Sequence, residues 1–256
     1  MCLILFANEV HPRYQLIIAA NRDEFYERPT APAAFWNTSP DILAGKDLRG
    51  GGTWLGISRC GRFAAITNYR EHPHHHEGAK SRGLLPLDFL RGNMSEERYL
   101  STVTEKGADF SGFNLIFGTP GHICYATNRG DSIARIPPGI HGLSNHLLDT
   151  PWPKVRRGAA ALADALSGEG AQIAERLFSI LADRFLPPDN ELPETGFGLE
   201  WERILSPPFI TSPAYGTRAS TVLLTSYDGS VSFIERTFGP GGTMVQTISH
   251  DFRIEK

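Results

Sequence analysis

Cys2-Leu3-Ile4-Leu5-Phe6-Ala7-Asn8 and Gln15-Leu16-Ile17-Ile18-Ala19-Ala20-Asn21 are two short apolar runs with the turn residues His11-Pro12-Arg13 between them. Runs of that length, joined by turn chemistry, read as a pair of strands in hairpin arrangement. Neither run alternates apolar with polar residues, so both faces of the pair should be covered by other layers. A strand that starts at residue 2 and is apolar on both faces belongs in the interior of a sheet. Its first residue then lies among loops from neighbouring strands, which places Cys2 in a cleft.

The rest of the chain extends this pattern. Thr53–Ser58 and Arg62–Tyr69 read as a second strand pair around Arg59-Cys60-Gly61. Before them, Gly50-Gly51-Gly52 predicts a tight bend or a close backbone approach. A phosphate-binding loop is the disfavoured alternative there, because no Lys-Ser/Thr follows and the next element is a strand. Ser81–Arg91 and Ser95–Lys106 read as helices, the second capped by Ser95 and stopped by Gly107. Phe113–Gly118, His122–Asn128, Ile133–Ile136 and Ile140–Ser144 read as strands. Pro153 opens a helical region in which Val155–Leu166 and Ala171–Phe185 have helical spacing. The proline-rich stretch Leu186–Thr217 reads as an extended loop, a flap over a site. Ser220–Ser226 and Ser230–Phe238 close the series as a hairpin around Tyr227-Asp228-Gly229. Strands and helices grouped in this order predict an α+β layered architecture, with residues 1–256 as one domain.

Composition narrows the function classes. A formal net charge of −3 gives no electrostatic drive toward nucleic acid. No apolar run approaches the ~18 residues that span a bilayer, and Glu9 interrupts the first one, so neither membrane insertion nor a secretory leader is expected. Cys2, Cys60 and Cys124 are odd in number and far apart, which fits a reducing compartment, the cytoplasm by default. Cys60 and Cys124 lie in strand-like surroundings and read as core residues. The run from His72 to His76 reads as a surface loop. Adjacent His74, His75 and His76 point in different directions, and a mononuclear metal site needs ligands held on one side by a scaffold. No metal site and no cofactor are expected.

Cys2 carries the candidate chemistry. An initiator methionine is normally removed when the next side chain is small, and removal of Met1 leaves a thiol and a free α-amine on one residue. An α-amine with a pKa near ~7.7–8.0 is partly unprotonated at neutral pH and can take the thiol proton. The plain alternative is a buried cysteine at the start of a core strand. Asn21-Arg22-Asp23-Glu24 ends the second run, beside the start of the first if the two pair. Arg22 would then lower the thiol pKa and Asp23 would hold the ammonium, although an Arg–Asp pair on a solvated turn explains the same residues. Asn68 and Asn145 each end a predicted strand, as turn residues or as amides that receive an oxyanion. Arg218, just before the strand Ser220–Ser226, is either solvated or a cation of the site.

Together these segments resemble the NRDE family, the transport and Golgi organization protein 2 family. Its motif stands here as Asn21-Arg22-Asp23-Glu24. Met1-Cys2, Gly51-Gly52-Thr53-Trp54-Leu55-Gly56, Thr67-Asn68-Tyr69-Arg70, Ser81-Arg82-Gly83, Gly142-Leu143-Ser144-Asn145, Thr150-Pro151-Trp152-Pro153-Lys154-Val155 and Gly216-Thr217-Arg218 follow in order. The histidine run is not part of that pattern. The resemblance implies an N-terminal-nucleophile hydrolase-like αββα sandwich, two antiparallel sheets between helical layers. It is similar to cysteine-type choloylglycine hydrolases and penicillin V acylases, which cleave non-peptide amides. Carried over, that implies Cys2 as nucleophile and base, Asp23 orienting its amine, Asn68 and Asn145 as site amides and Arg218 as a polarising cation. Arg22 transfers less directly, since the arginine and aspartate of those acylases are not adjacent. The expected function is hydrolysis of a small amide or acyl substrate. The alternative is a non-catalytic carrier of haem or of an acyl-CoA or lipid on the same scaffold.

Overall fold

The computed structural model describes residues 2–71, 79–167 and 172–255. Two six-stranded antiparallel sheets form its centre. The first sheet is built from β1 (Cys2–Asn8), β2 (Tyr14–Phe25), β9 (Gly139–Leu143), β10 (Tyr215–Ser226), β11 (Ser230–Phe238) and β12 (Met244–Arg253), in the order β12-β11-β10-β2-β1-β9. The second contains β3 (Thr30–Trp36), β4 (Ser39–Asp47), β5 (Leu55–Ser58), β6 (Phe63–Asn68), β7 (Phe113–Thr119) and β8 (His122–Thr127), in chain order. Helices α1 (Leu84–Arg91) and α2 (Glu96–Glu105) cover the outer face of the second sheet, and α3 (Pro153–Leu166) and α4 (Ile173–Leu181) that of the first.

Side-chain alternation accounts for the four layers. Ile4, Phe6, Leu16 and Ile18 point between the sheets, where they meet Leu43, Ile57, Ala65 and Ile116. Leu3, Leu5, Ala7, Ile17 and Ala19 point the other way, onto Val155, Leu162, Leu177 and Leu181 of the helices. Both faces of β1 and β2 are dry, which is why their sequences are continuously apolar. On the far side, Phe113, Leu115 and Phe117 pack against Leu87, Phe89 and Leu90. This is the α+β, αββα sandwich that the sequence implies.

The glycine triplet makes the close approach expected of it. A Cβ on Gly52 would lie 2.2 Å from the backbone oxygen of Gly83, and the Thr53 N–H donates to that same oxygen at 3.0 Å. The contact pins the segment before α1 against the β4–β5 connection and so brings Arg82 inward. Backbone cannot yield as a flexible side chain does. Gly52→Ala is therefore expected to cost about 3 kcal/mol, measured by urea unfolding, and unchanged stability would contradict the contact.

Several expectations need correction. The second strand does not end at Asn21 but continues through the Asn21-Arg22-Asp23-Glu24 motif to Phe25. Ile133–Ile136 is not a strand; Ile133 makes only an isolated bridge to Tyr125. Cys60 is exposed, at a turn, whereas Cys124 is buried as expected. Leu186–Thr217 is not wholly extended, since it holds a short helix, α5 (Leu199–Ile204), and the start of β10. The His72–His76 run lies outside the described residues. No helix among the described residues is long and apolar enough to cross a membrane.

Candidate active site

Cys2 opens β1, the strand second from the edge of the first sheet, with Arg22 directly opposite it on β2; the pairing of β1 with β9 begins only at Ile4. It follows the parity of Ile4 and Phe6, so its side chain is directed between the sheets. There it lines a hollow with Arg22, Trp54, Ala65 and Thr221, of about 10 Å³. That is room for about one water molecule. The Arg22 guanidinium closes the hollow, stacked 4.4 Å over the Trp54 ring and 3.8 Å from the Glu24 carboxylate. Trp54 is seated by Gly45, where a Cβ would fall 2.2 Å from the indole.

Asp23 is 2% exposed and belongs to the opposite face of β2, toward the helices. Its Oδ1 accepts from Thr217 Oγ1 at 2.7 Å, and that hydroxyl accepts in turn from the Ile210 N–H at 2.9 Å. Burial pushes both the Cys2 thiol and the Asp23 carboxyl upward. The positive charge of the chain's amino terminus is the next influence on each, and it favours both anionic forms. Asp23 raises the thiol further through its charge, while a hydrogen bond from its backbone and the charge of Arg22 lower it. Cys2 and Asp23 thus share one electrostatic environment.

Cations that the sequence reading did not single out gather here. Lys154, in the first turn of α3, is 3% exposed and donates from Nζ to the Leu205 carbonyl at 3.0 Å. A cation opposes the helix dipole at that end. Burial, reinforced by Arg70, lowers its pKa to about 8, while Asp23, Cys2 and Glu202 raise it. Arg70 pairs with Glu202 in a fully buried bridge and stacks 4.7 Å over Trp152. Burial also lowers Arg82, whose foremost counter-influence is Cys2. The signal for Lys154 was in plain view: a lysine immediately after a helix-opening proline, where an acidic residue is normally preferred.

Other candidates stand apart from the thiol. Asn145 is fully buried and donates from Nδ2 to the Asn68 carbonyl at 2.9 Å, while its Oδ1 accepts from Ser144 Oγ. The Cys2 carbonyl lies 3.1 Å from the same Ser144 Oγ, so it shares the single hydroxyl proton with Asn145 Oδ1. Asn68 takes part through its backbone oxygen. Neither amide lines the hollow beside the thiol. Arg218 does not either. It is the extra residue of a β-bulge between Thr217 and Ala219, and its Nη1 donates to the carbonyls of Phe25, Tyr26 and Arg28 at 2.9–3.2 Å.

The segment expected to form a flap is instead tied down. Glu202 holds Arg70 and accepts from Thr195, Lys154 binds Leu205, and the buried Asn21 donates to the Leu181 and Pro208 carbonyls at 2.8 Å each. It is a fixed wall of the site on the helical side.

A family model described as Transport and Golgi organisation 2 matches residues 1–240. The chain belongs to that family. It is 38% identical over 278 residues to the Transport and Golgi organization protein 2 homolog of Bos taurus, with all of both chains covered. It is 38% identical over 258 residues to the Homo sapiens homolog, covering 93% of each chain. It is 29% identical over 286 residues to the Drosophila melanogaster protein, covering 99% of each. Among solved structures, a Caenorhabditis elegans ortholog of N-acylethanolamine-hydrolyzing acid amidase matches with a TM-score of 0.50 at 11% identity, over 87% of this chain and 92% of that one. That likeness shows the fold, which is N-terminal-nucleophile hydrolase-like. The family's motif residues therefore lie on a scaffold that sets Cys2 at the end of an inner strand.

A buried acid near the site gives a stability signature. Glu235 on β11 is 1% exposed; its Oε1 accepts from the Ala33 N–H at 2.7 Å and its Oε2 lies 3.4 Å from Thr221 Oγ1. Burial raises its pKa from 4.5 to about 7, against the lowering effects of Ala33, Thr221 and Arg22. Below about 4.5 both folded and unfolded chains hold the proton. Between there and about 7 only the folded chain does, so this contribution to stability is lost as pH rises through the window. Glu235→Gln is expected to remove that loss, up to about 3 kcal/mol, while keeping an acceptor for Ala33. Melting curves at pH 5 and pH 8 check it; parallel pH slopes for variant and wild type would contradict the assignment.

Proposed function

We propose that the protein is a cysteine amidohydrolase acting on a small non-peptide amide, with Cys2 as nucleophile and its own α-amine as base once Met1 is removed. The observation that carries this reading is the placement of Cys2 at the end of an inner strand, directly opposite Arg22 and next to the Asp23 backbone, whose charges act on the thiol. The free amine would take the thiol proton, and the thiolate would attack the amide carbonyl carbon. Collapse of the tetrahedral adduct, with the ammonium proton delivered to the departing nitrogen, would release an amine and leave an acyl thioester on Cys2. Water, deprotonated by the same amine, would hydrolyse that thioester and regenerate the thiol. Asp23, fixed by Thr217, would orient the ammonium, and Lys154 and Arg82 would stabilise the anionic thiol and adduct.

A hollow of about 10 Å³ admits no amide, so access to sulfur requires the Arg22–Trp54 stack to part. Carriage of haem or an acyl thioester is the competing reading, and so small a hollow does not favour it. A cytoplasmic setting suits a reactive thiol. The test is turnover of a panel of simple N-acyl amides by protein beginning at Cys2, against the same protein with its α-amine acetylated. Cleavage by the first and none by the second is expected; equal rates from both would overturn the α-amine's role as base.

A further inference from the structure

A second cavity, of about 150 Å³, lies on the helical side of the first sheet, between α4, Phe209, Gly242 and strands β10 to β12. It shares no lining residue with the hollow at Cys2. The two stand on opposite faces of β10, since Ser220 lines this one and its neighbour Thr221 the other. The chemistry at Cys2 makes no use of it.

Its walls are aromatic. Phe178 and Phe209 are buried, and Phe238 meets Phe209 edge to face with ring centres 4.9 Å apart. Met244, which is exposed, adds an adaptable thioether at the rim. An apolar space of about 150 Å³ takes up a molecule the size of benzene. A ring entering here finds other rings to pack against by edge or by face.

Two guanidinium groups flank these walls, and they differ in their partners. Arg236 lies 4.0 Å over the Phe178 ring and pairs with Glu175. Arg184 lies 4.8 Å over the Phe209 ring, and among the described residues it makes no hydrogen bond and no ion pair. The carboxylate of its neighbour Asp183 is turned to Arg157 and to the Phe185 N–H. The charge of Arg184 is felt at the Tyr26 phenol, which burial keeps neutral. Although exposed, Arg184 is laid back over the protein: a Cβ on Gly242 would fall 2.7 Å from its Nη2. A guanidinium stacked on a ring keeps its N–H donors in its own plane, where a carboxylate can take two at once.

We propose that this cavity binds a small aromatic carboxylate, its ring among Phe178, Phe209 and Phe238 and its carboxylate on the Arg184 guanidinium. The site is independent of the chemistry at Cys2. Calorimetric titration of the full-length protein with benzoate and with benzamide, alike in shape but different in charge, tests it. Benzoate is expected to bind about tenfold or more tightly. Arg184→Gln should remove that preference and leave benzamide unchanged. Arg184 is exposed, so this variant should fold, which circular dichroism checks. Ala182→Phe, at an exposed position on the lining, should fill the cavity and exclude both probes. No binding of benzoate at about 10 mM, equal affinities for the two probes, or benzoate binding untouched by Arg184→Gln would each overturn the proposal.

Discussion

Cys2→Ala is expected to abolish cleavage of any amide that the wild-type protein turns over, by at least about 10³-fold in kcat/KM, with the melting temperature almost unchanged. The two halves of this result have separate causes. Removal of the nucleophile ends covalent catalysis outright, because no neighbouring group replaces the attacking sulfur. Stability is spared because the Cys2 side chain borders a small hollow instead of packing in the core as the fully buried Leu3 and Leu5 do. Cys2→Ser should retain a small remainder of activity through its weaker hydroxyl nucleophile. Wild-type rates from Cys2→Ala, on a substrate that the wild type cleaves, would exclude the mechanism.

The largest effect on stability is expected at Arg70. Its guanidinium and the Glu202 carboxylate are almost wholly removed from water, with side chains 1% and 4% exposed. Arg70→Met leaves the Glu202 charge buried without its partner, which costs about 3–5 kcal/mol. Lys154 remains as a nearby cation and should hold the loss toward the lower figure. Adding Glu202→Gln removes the stranded charge yet keeps an acceptor for the Thr195 N–H, so the double variant should recover a good part of the stability. Denaturant unfolding of the two variants reads this out. An Arg70→Met protein as stable as the wild type would show that the pair does not anchor the wall formed by residues 186–214.

The architecture was legible where burial dominates the sequence. β1 and β2 are covered on both faces, and their unbroken apolar runs announced it. β3 and β4 were missed because Pro32 and Pro40 interrupt them; the β3–β4 register shifts between Ala31 and Ala34. β12 escaped notice as an edge strand with mostly exposed residues, so nothing in its sequence alternates strongly. α5 has six residues, too few to show a helical period, and lies among prolines.

At the site, Cys2, Arg22 and Asp23 could be found because they are adjacent in sequence or paired across a hairpin. Lys154 left a mark in its place after the helix-opening Pro153, but Arg70, Glu202 and Glu235 left none, because what makes them unusual is burial, and burial of a charged residue does not show in the sequence. Arg218 was visible as a residue, but its bulge was not, and the bulge decides which way it points.

Peptide mass spectrometry of the full-length protein, quenched during turnover of a simple amide, tests the central claim most directly. The expected N-terminal peptide begins at Cys2, with the acyl mass of the substrate on its sulfur and a free α-amine. An active protein that retains Met1, or an acyl mass found on any other residue, would contradict it.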